Sequence, residues 1–201
     1  MDAKSEAARF SPALTEAVEY IRQIHTESRK GSSIPYLAHL FGVASLVMAE
    51  TGGPVPVTEE MVAAALLHDV VEDHGGLPRL REVEERFGPT VARLVKALSD
   101  TMAEDGAPLE SWEDRKRAYL ARLPGEPLDV LLISAADKLY NAQAILDDYR
   151  HVGDALWERF HRGKQEQLWY FEELRTIFRA HLHSRSTEAF ERVLDELQAR
   201  A

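Results

Sequence analysis

The amino-acid sequence predicts an all-α protein, a helical bundle with additional helices at its C-terminal end. Apolar residues recur at intervals of three and four along most of the chain, which is the spacing of one helix face. No segment alternates polar and apolar residues as a half-buried strand does. Gly- and Pro-containing breaks separate the helical stretches. We therefore expect helices throughout, with the most apolar ones buried.

Two helices are predicted near the start of the chain. The first begins at Ser11-Pro12, because Pro suits the first turn of a helix. A loop of turn-forming residues covers 30–35, and the second helix runs from near Tyr36 to the Gly-Gly-Pro break at 52–54. One face of this second helix carries Leu40, Val43, Ala44, Val47 and Met48.

Two further segments are apolar nearly all round, so we predict that they form buried helices. One is MVAAALLHDVVED at 61–73, which we expect to be a single helix with Thr58 as its N-cap. The other is residues 128–149. Shorter helices are predicted between and after them, at 78–87, about 90–100, from Ser111, and near 154–162, 164–183 and 187–199.

Length and composition limit the classes of function. A chain of 201 residues suits one domain, 1–201, with a core over about 14–175 and C-terminal helices over about 176–201. Cysteine is absent, which excludes disulfides, thiolate metal sites and cysteine nucleophiles. The net charge of −10 disfavours binding to a nucleic-acid polymer. With neither a membrane-length apolar run nor a signal-peptide core, we expect a cytoplasmic protein without a membrane partner, and a homo-oligomer is compatible with the sequence.

The two apolar segments each end in a charged doublet, His68-Asp69 in one and Asp137-Lys138 in the other. A buried ionised Asp is costly unless a partner compensates its charge, and a divalent metal ion is the simplest shared partner. His39, on or beside the apolar face of the second helix, is a candidate for the fourth ligand. Two imidazoles and two carboxylates suit Mn²⁺ or Fe²⁺ with open positions for water, with Zn²⁺ and Mg²⁺ as alternatives.

Each of these residues also has an ordinary structural explanation when taken alone. His39 could be a hydrogen-bonded core histidine, and Asp137 could pair with Lys138 or Arg115 in a buried salt bridge. The coincidence of all the features in buried context is what favours a metal site. We expect one metal ion rather than two, because His74 is the only histidine between Asp69 and Asp137.

Two more carboxylates, Glu72 and Asp73, follow the His68-Asp69 doublet by three and four residues. On a helix, this spacing places them on the same side as the doublet. A metal ion lowers the pKa of a bound water, and a neighbouring carboxylate can orient that water and exchange its proton. We therefore predict that Glu72 and Asp73 are catalytic, although such a pair is also typical of an exposed helix end.

Five segments carry a resemblance to a known family: RKGSSIPYLAHLFGVA, AALLHDVVED, FGPTVARLVKALSD, DRKRAYL and ADKLYNA. Over about residues 14–175 the chain resembles the HD superfamily of metal-dependent phosphohydrolases, most closely the hydrolase domains of RelA/SpoT-type enzymes and the stand-alone small alarmone hydrolases. The resemblance implies an HD-domain helical bundle with one Mn²⁺, and hydrolytic removal of the 3′-pyrophosphate from (p)ppGpp. It implies metal ligation by His39, His68, Asp69 and Asp137, and catalysis by Glu72 and Asp73.

The resemblance also suggests how a small-molecule nucleotide would be bound. It places Arg29 and Lys30 near the nucleotide and Asn141 near its ribose or base. Lys138 and Lys116 are candidates for phosphate contacts, and each is otherwise an ordinary surface lysine. We expect hydrolase activity only, without a synthetase domain.

The sequence departs from the family pattern at positions where substrate identity would be set, at Leu40, at Gln143 and after the Glu72-Asp73 pair. Another nucleotide substrate therefore stays as an alternative, either a nucleoside monophosphate or NADPH. A non-catalytic nucleotide-binding protein is a second alternative, which the complete ligand set disfavours. A di-iron oxygen-activating protein would need more histidines in the interval 69–137.

Overall fold

The computed structural model describes residues 11–104, 107–160 and 162–200. Its α-helices are α1 (Pro12–Ile24), α2 (Leu37–Ala49), α3 (Glu59–Leu67), α4 (Val70–Asp73), α5 (Gly76–Leu98), α6 (Trp112–Arg122), α7 (Leu128–Val152), α8 (Gly163–His181) and α9 (Arg185–Arg200). Short 3-10 helices cover Leu123–Gly125 and Gly153–Arg159. These described residues contain no strand, only an isolated bridge between Ser28 and Pro35. The all-α prediction is confirmed.

Side-chain caps define three of the predicted helix starts. The Ser11 hydroxyl accepts from the Ala13 amide at 3.1 Å, and Thr58 accepts from the Met61 amide at 3.4 Å. Ser111 accepts from the Asp114 amide at 3.1 Å. Each cap satisfies a backbone N–H that has no partner inside the helix, so α1, α3 and α6 begin where the sequence indicates.

Helix α7 is the centre of the bundle. It packs against α2, α3, α5, α8 and α9, and its first half is buried on nearly every side. Buried apolar side chains from Leu14 in α1 to Leu197 in α9 form one core cluster. The predicted domain also takes in residues 1–10 and 201, which lie outside the described part of the chain. None of the helices in the described residues has both the length and the apolar character that a membrane span requires.

The structure corrects two predicted elements and confirms a break in a third. The run 61–73 is not one helix, because α3 ends at Leu67 and α4 begins at Val70, with His68 and Asp69 in the turn between them. The predicted helix at 154–162 is instead a 3-10 helix over Gly153–Arg159. The predicted separation of the helices at 78–87 and 90–100 is confirmed, because α5 is kinked at Gly88, whose φ of 86° disfavours any other residue.

Candidate metal centre and active site

Four side chains from three parts of the bundle meet at one buried point. His39 comes from α2, His68 and Asp69 from the turn between α3 and α4, and Asp137 from α7. His39 Nε2 lies 3.1 Å from His68 Nε2, 3.3 Å from Asp69 Oδ2 and 3.3 Å from Asp137 Oδ1. His68 Nε2 lies 3.0 Å from Asp69 Oδ2 and 3.7 Å from Asp137 Oδ1. The set predicted as metal ligands is therefore brought together.

The break between α3 and α4 places His68 and Asp69 in a turn, where both side chains can face the same point. Asp69 is the N-cap residue of α4, but its side chain does not cap that helix. An Asp at this position would ordinarily accept from the first free amides of the helix. Here the Asp69 carboxylate instead faces His39 and His68. It therefore contributes to the site rather than capping α4.

The chemistry of the donor set fits a cation. His68 Nδ1 lies 2.8 Å from the Ala65 carbonyl, and because a carbonyl only accepts, that nitrogen carries the proton. In the neutral ring, the lone pair of Nε2 then faces two carboxylates and a second imidazole. Burial opposes the charged ring, but the charge of Asp69 and the bond with Asp137 raise the pKa of His68 well above its usual value. The same carboxylates that favour a positive charge on this ring would favour a divalent cation at this point.

Neighbouring side chains orient both carboxylates. The Tyr36 hydroxyl donates to Asp69 Oδ2 at 2.6 Å, and the Asn141 amide donates to Asp137 Oδ1 at 2.7 Å. Lys138 donates to the other oxygen of Asp137. Such partners fix the direction of metal ligands and raise metal affinity. Sequence reasoning did not identify Tyr36; its only signal is its position three residues before His39.

The two predicted catalytic carboxylates lie in different surroundings. Glu72 lines a cavity of about 160 Å³ together with all four predicted metal ligands. Burial of its carboxyl, with further contributions from nearby acidic groups, raises the pKa of Glu72 to about 7. Asp73 is exposed at the end of α4 and does not line that cavity. Glu72 is therefore the carboxylate better placed for proton transfer near neutral pH.

Glu72 also contacts a part-buried ionic network formed by Asp100, Arg115 and Lys116. Glu72 accepts from the Asp100 amide at 3.1 Å, and Arg115 Nη1 lies 3.6 Å from Glu72 Oε1. Arg115 and Lys116 both donate to the Asp100 carboxylate, at 2.6 Å and 2.5 Å. Lys116, predicted as a phosphate contact, thus has a carboxylate partner. Asp100 and Arg115 were missed as site residues because their partners are distant in sequence.

A larger cleft of about 520 Å³ opens next to the metal-ligand cavity. Tyr36, Lys138 and Asn141 line both spaces. Its cationic residues are Arg29, Lys30, Arg115, Lys116, Lys138 and Arg162, so all four predicted basic contacts are among them. Aromatic side chains, including Trp112 and Tyr170, form part of the same wall.

Arg29 and Asn141 are joined by a hydrogen bond in the structure. Arg29 Nη2 donates to Asn141 Oδ1 at 2.8 Å, and the guanidinium lies 5.3 Å from the centre of the Tyr140 ring. Asn141 in turn contacts Asp137. A continuous set of contacts therefore runs from the loop before α2 to a predicted metal ligand. Lys30 is exposed at the edge of the cleft.

The fold and the site define an all-α protein with a buried His/Asp centre beside a cationic cleft. Residues 17–161 match the family model described as HD domain, and the chain belongs to this family.

The chain is similar to guanosine-3′,5′-bis(diphosphate) 3′-pyrophosphohydrolase MESH1 from two organisms. It is 37% identical to the Mus musculus protein over 168 residues, which cover 82% of each chain. Identity to the Homo sapiens protein is also 37%, over 140 residues that cover 68% of this chain and 69% of the relative. A solved structure described as a metazoan ortholog of SpoT superposes with a TM-score of 0.75 at 23% identity, covering 94% of this chain and 98% of that one.

Proposed function

We propose that this protein is a metal-dependent phosphohydrolase that removes the 3′-pyrophosphate from guanosine alarmones of the (p)ppGpp type. The observation that carries the proposal is the junction of the His/Asp centre with the cationic cleft. Similarity to the MESH1 proteins, whose name states this reaction, supports the choice of substrate. An acidic chain with net charge −10 gathers six cationic residues in one cleft, which suits a compact polyanion.

We propose that His39, His68, Asp69 and Asp137 hold one divalent ion, with Mn²⁺ as the preferred metal. Two imidazoles and two carboxylates are a donor set that Mn²⁺ and Fe²⁺ accept. When bound, such an ion supplies Lewis-acid polarisation of the phosphoryl group and acidifies water.

In this proposal Glu72 accepts the proton of the attacking water. Its carboxyl lines the same cavity as the metal ligands, and a pKa of about 7 matches a base that works near neutral pH. Because Asp73 is exposed, we assign it the exchange of that proton with solvent.

The remaining contacts bind and orient the nucleotide. Lys138 and Lys116 lie where the cavity meets the cleft, so we assign them to the phosphates. Arg29, Lys30 and Asn141 are assigned to the nucleoside end. The predictions that the substrate is not a nucleic-acid polymer, that the protein is cytoplasmic and that it forms a homo-oligomer stay predictions.

The test is the identity of the product. Metal-free protein is supplied with Mn²⁺ and ppGpp, and the released phosphorus species is identified by ³¹P NMR. We expect pyrophosphate and a nucleoside 5′-diphosphate. Release of orthophosphate alone, or turnover restricted to nucleoside monophosphates or the 2′-phosphate of NADPH, would reject the alarmone assignment.

The role of Glu72 is tested separately with Glu72→Gln. We expect kcat to fall by about 10²-fold or more while Mn²⁺ binding by calorimetry is retained, since general acid–base catalysis contributes about 10²–10⁴-fold. Glu84→Gln, at an exposed position of α5, is the matched control and should leave kcat unchanged. An unchanged rate in Glu72→Gln would remove this residue from the mechanism.

A further inference from the structure

A second cluster of metal-binding side chains lies beside the centre described above. His25 Nδ1 is 2.7 Å from Glu27 Oε1, and His74 Nε2 is 3.5 Å from the same oxygen. One donor atom from each residue lies within 4.8 Å of the other two. Two ligands about 2.1 Å from a tetrahedral ion are about 3.4 Å apart, so small side-chain adjustments would complete a binding site.

Two segments of the chain hold these ligands in place, the end of α1 with the loop after it and the end of α4. His25 ends α1, and its ring stacks on Tyr36 with centroids 5.0 Å apart and an interplanar angle of 13°. The Glu27 carbonyl accepts from the Tyr36 amide at 3.0 Å. His74 ends α4, and its carbonyl accepts from Arg79 Nε at 2.9 Å. The backbone positions of the three residues are therefore fixed by contacts that do not require a bound ion.

The charges of this cluster favour a cation. Within the described residues, the ion pairs of Glu27 involve only the two histidines, with no Lys or Arg. Burial lowers the pKa of His25, which favours the neutral imidazole that a metal requires. Glu27 and His74 remain partly exposed, with side-chain exposures of 39% and 31%, so an ion can enter from solvent.

We propose that His25, Glu27 and His74 bind a second divalent transition-metal ion, of the Zn²⁺ class, at a site separate from the His39 centre. Two imidazoles and one carboxylate are a common Zn²⁺ ligand set, with a position left for water. The site shares no ligand with the first. It adjoins it through Tyr36, whose ring stacks on His25 and whose hydroxyl donates to Asp69.

The position of this site gives the ion a structural consequence. His74 directly follows Glu72 and Asp73 in the chain, so an ion on His74 fastens the end of α4 to the end of α1. The bound ion thus restrains the segment that carries the proposed base.

The experiment counts bound ions and needs no measurement of hydrolysis. Metal-free protein is titrated with Zn²⁺ by calorimetry, and the dialysed complex is analysed for zinc by mass spectrometry. We expect two ions per wild-type chain and one in His74→Ala. Glu27→Gln, which keeps the shape of the side chain, should also bind one. His181→Ala removes an exposed histidine at the end of α8 and should still bind two.

One zinc ion per wild-type chain that His74→Ala and Glu27→Gln both retain would overturn the proposal. So would two ions retained in both His74→Ala and Glu27→Gln, because the second ion would then lie elsewhere. Far-ultraviolet circular dichroism of each variant checks that the helices are intact. Should His74→Ala fail to fold, the count for Glu27→Gln decides the outcome alone.

Discussion

Gly42 on α2 allows the Tyr140 ring to approach closely, and this ring lies against Arg29 of the cationic cleft. A Cβ at this position would lie 2.0 Å from Tyr140 Cε2 and 2.4 Å from Cδ2. Carbon atoms in ordinary contact are about 3.5–4.0 Å apart, so Gly42→Ala would displace the ring by about 1.5–2 Å. The same ring lies 5.2 Å from His39 and 5.3 Å from the Arg29 guanidinium, measured at its centroid.

Two opposing contributions set the change in stability. Overpacking of this kind costs about 1–3 kcal/mol. Replacing Gly by Ala inside a helix stabilises the folded state by about 1 kcal/mol, because Ala has the higher helix propensity. We therefore expect Gly42→Ala to lower the free energy of unfolding by about 0–2 kcal/mol, and to raise the KM for ppGpp more than it lowers kcat, because Arg29 loses its supporting ring.

A double-mutant cycle separates the two contributions. In a Tyr140→Leu background the ring is absent, so Gly42→Ala should stabilise the protein by up to about 1 kcal/mol in urea unfolding. The difference between the two backgrounds, about 1–3 kcal/mol, is the steric conflict. Gly125→Ala is the matched control, since a Cβ there meets nothing within 4 Å. A coupling energy below about 0.5 kcal/mol would refute the reasoning.

Two further predictions concern the metal centre. Tyr36→Phe removes the hydroxyl that donates to Asp69 at 2.6 Å, so Mn²⁺ affinity measured by calorimetry should fall by about 10–100-fold; an unchanged affinity would contradict this. Burial raises the pKa of Glu72 from 4.5 to about 7, so the metal-free folded state retains a proton that the unfolded state releases in that window. The free energy of unfolding of the metal-free protein, measured in urea, should therefore fall as pH rises from 4.5 to about 7, by about 1–3 kcal/mol more than in Glu72→Gln. Equal pH dependence in both proteins would contradict a raised pKa of Glu72.

Local sequence signals predicted most of the helices and the four side chains that the structure brings together. A charged doublet at the end of an apolar run is unusual because the buried charge must be compensated, and two such doublets indicated a shared point. The structure brings His39, His68, Asp69 and Asp137 together as that argument requires. A charged doublet at the end of an apolar run is a strong signal because both residue type and expected burial can be inferred from the sequence.

The turn at His68-Asp69 was not predictable from local propensity. The residues on either side of it are Leu and Val, which continue a helical pattern, and no Gly or Pro marks a break. What the turn accomplishes is visible only in three dimensions, where both side chains face α2 and α7. Tertiary contacts outweighed local preference at the site, as is common at functional positions.

The supporting contacts were missed for a different reason, which is their separation along the chain. Tyr36 meets Asp69 across 33 residues, Glu72 meets the Asp100 amide across 28, and His74 meets Glu27 across 47. The local sequence around each of these residues has no unusual pattern. Nothing in a single sequence shows which distant partner it will contact.

The charge distribution shows why net charge alone is an incomplete guide to ligands. A net charge of −10 argues against a long polyanion, because most of the surface would repel it. The cleft of about 520 Å³ has six cationic residues on its walls, of which Arg115, Lys116, Lys138 and Arg162 also pair with carboxylates. A cleft of this size encloses a small molecule but not a polymer, so we expect a compact polyanion to reach these cations where an extended one does not. We therefore expect selectivity for a small polyphosphorylated ligand to depend on where the cations lie rather than on how many there are.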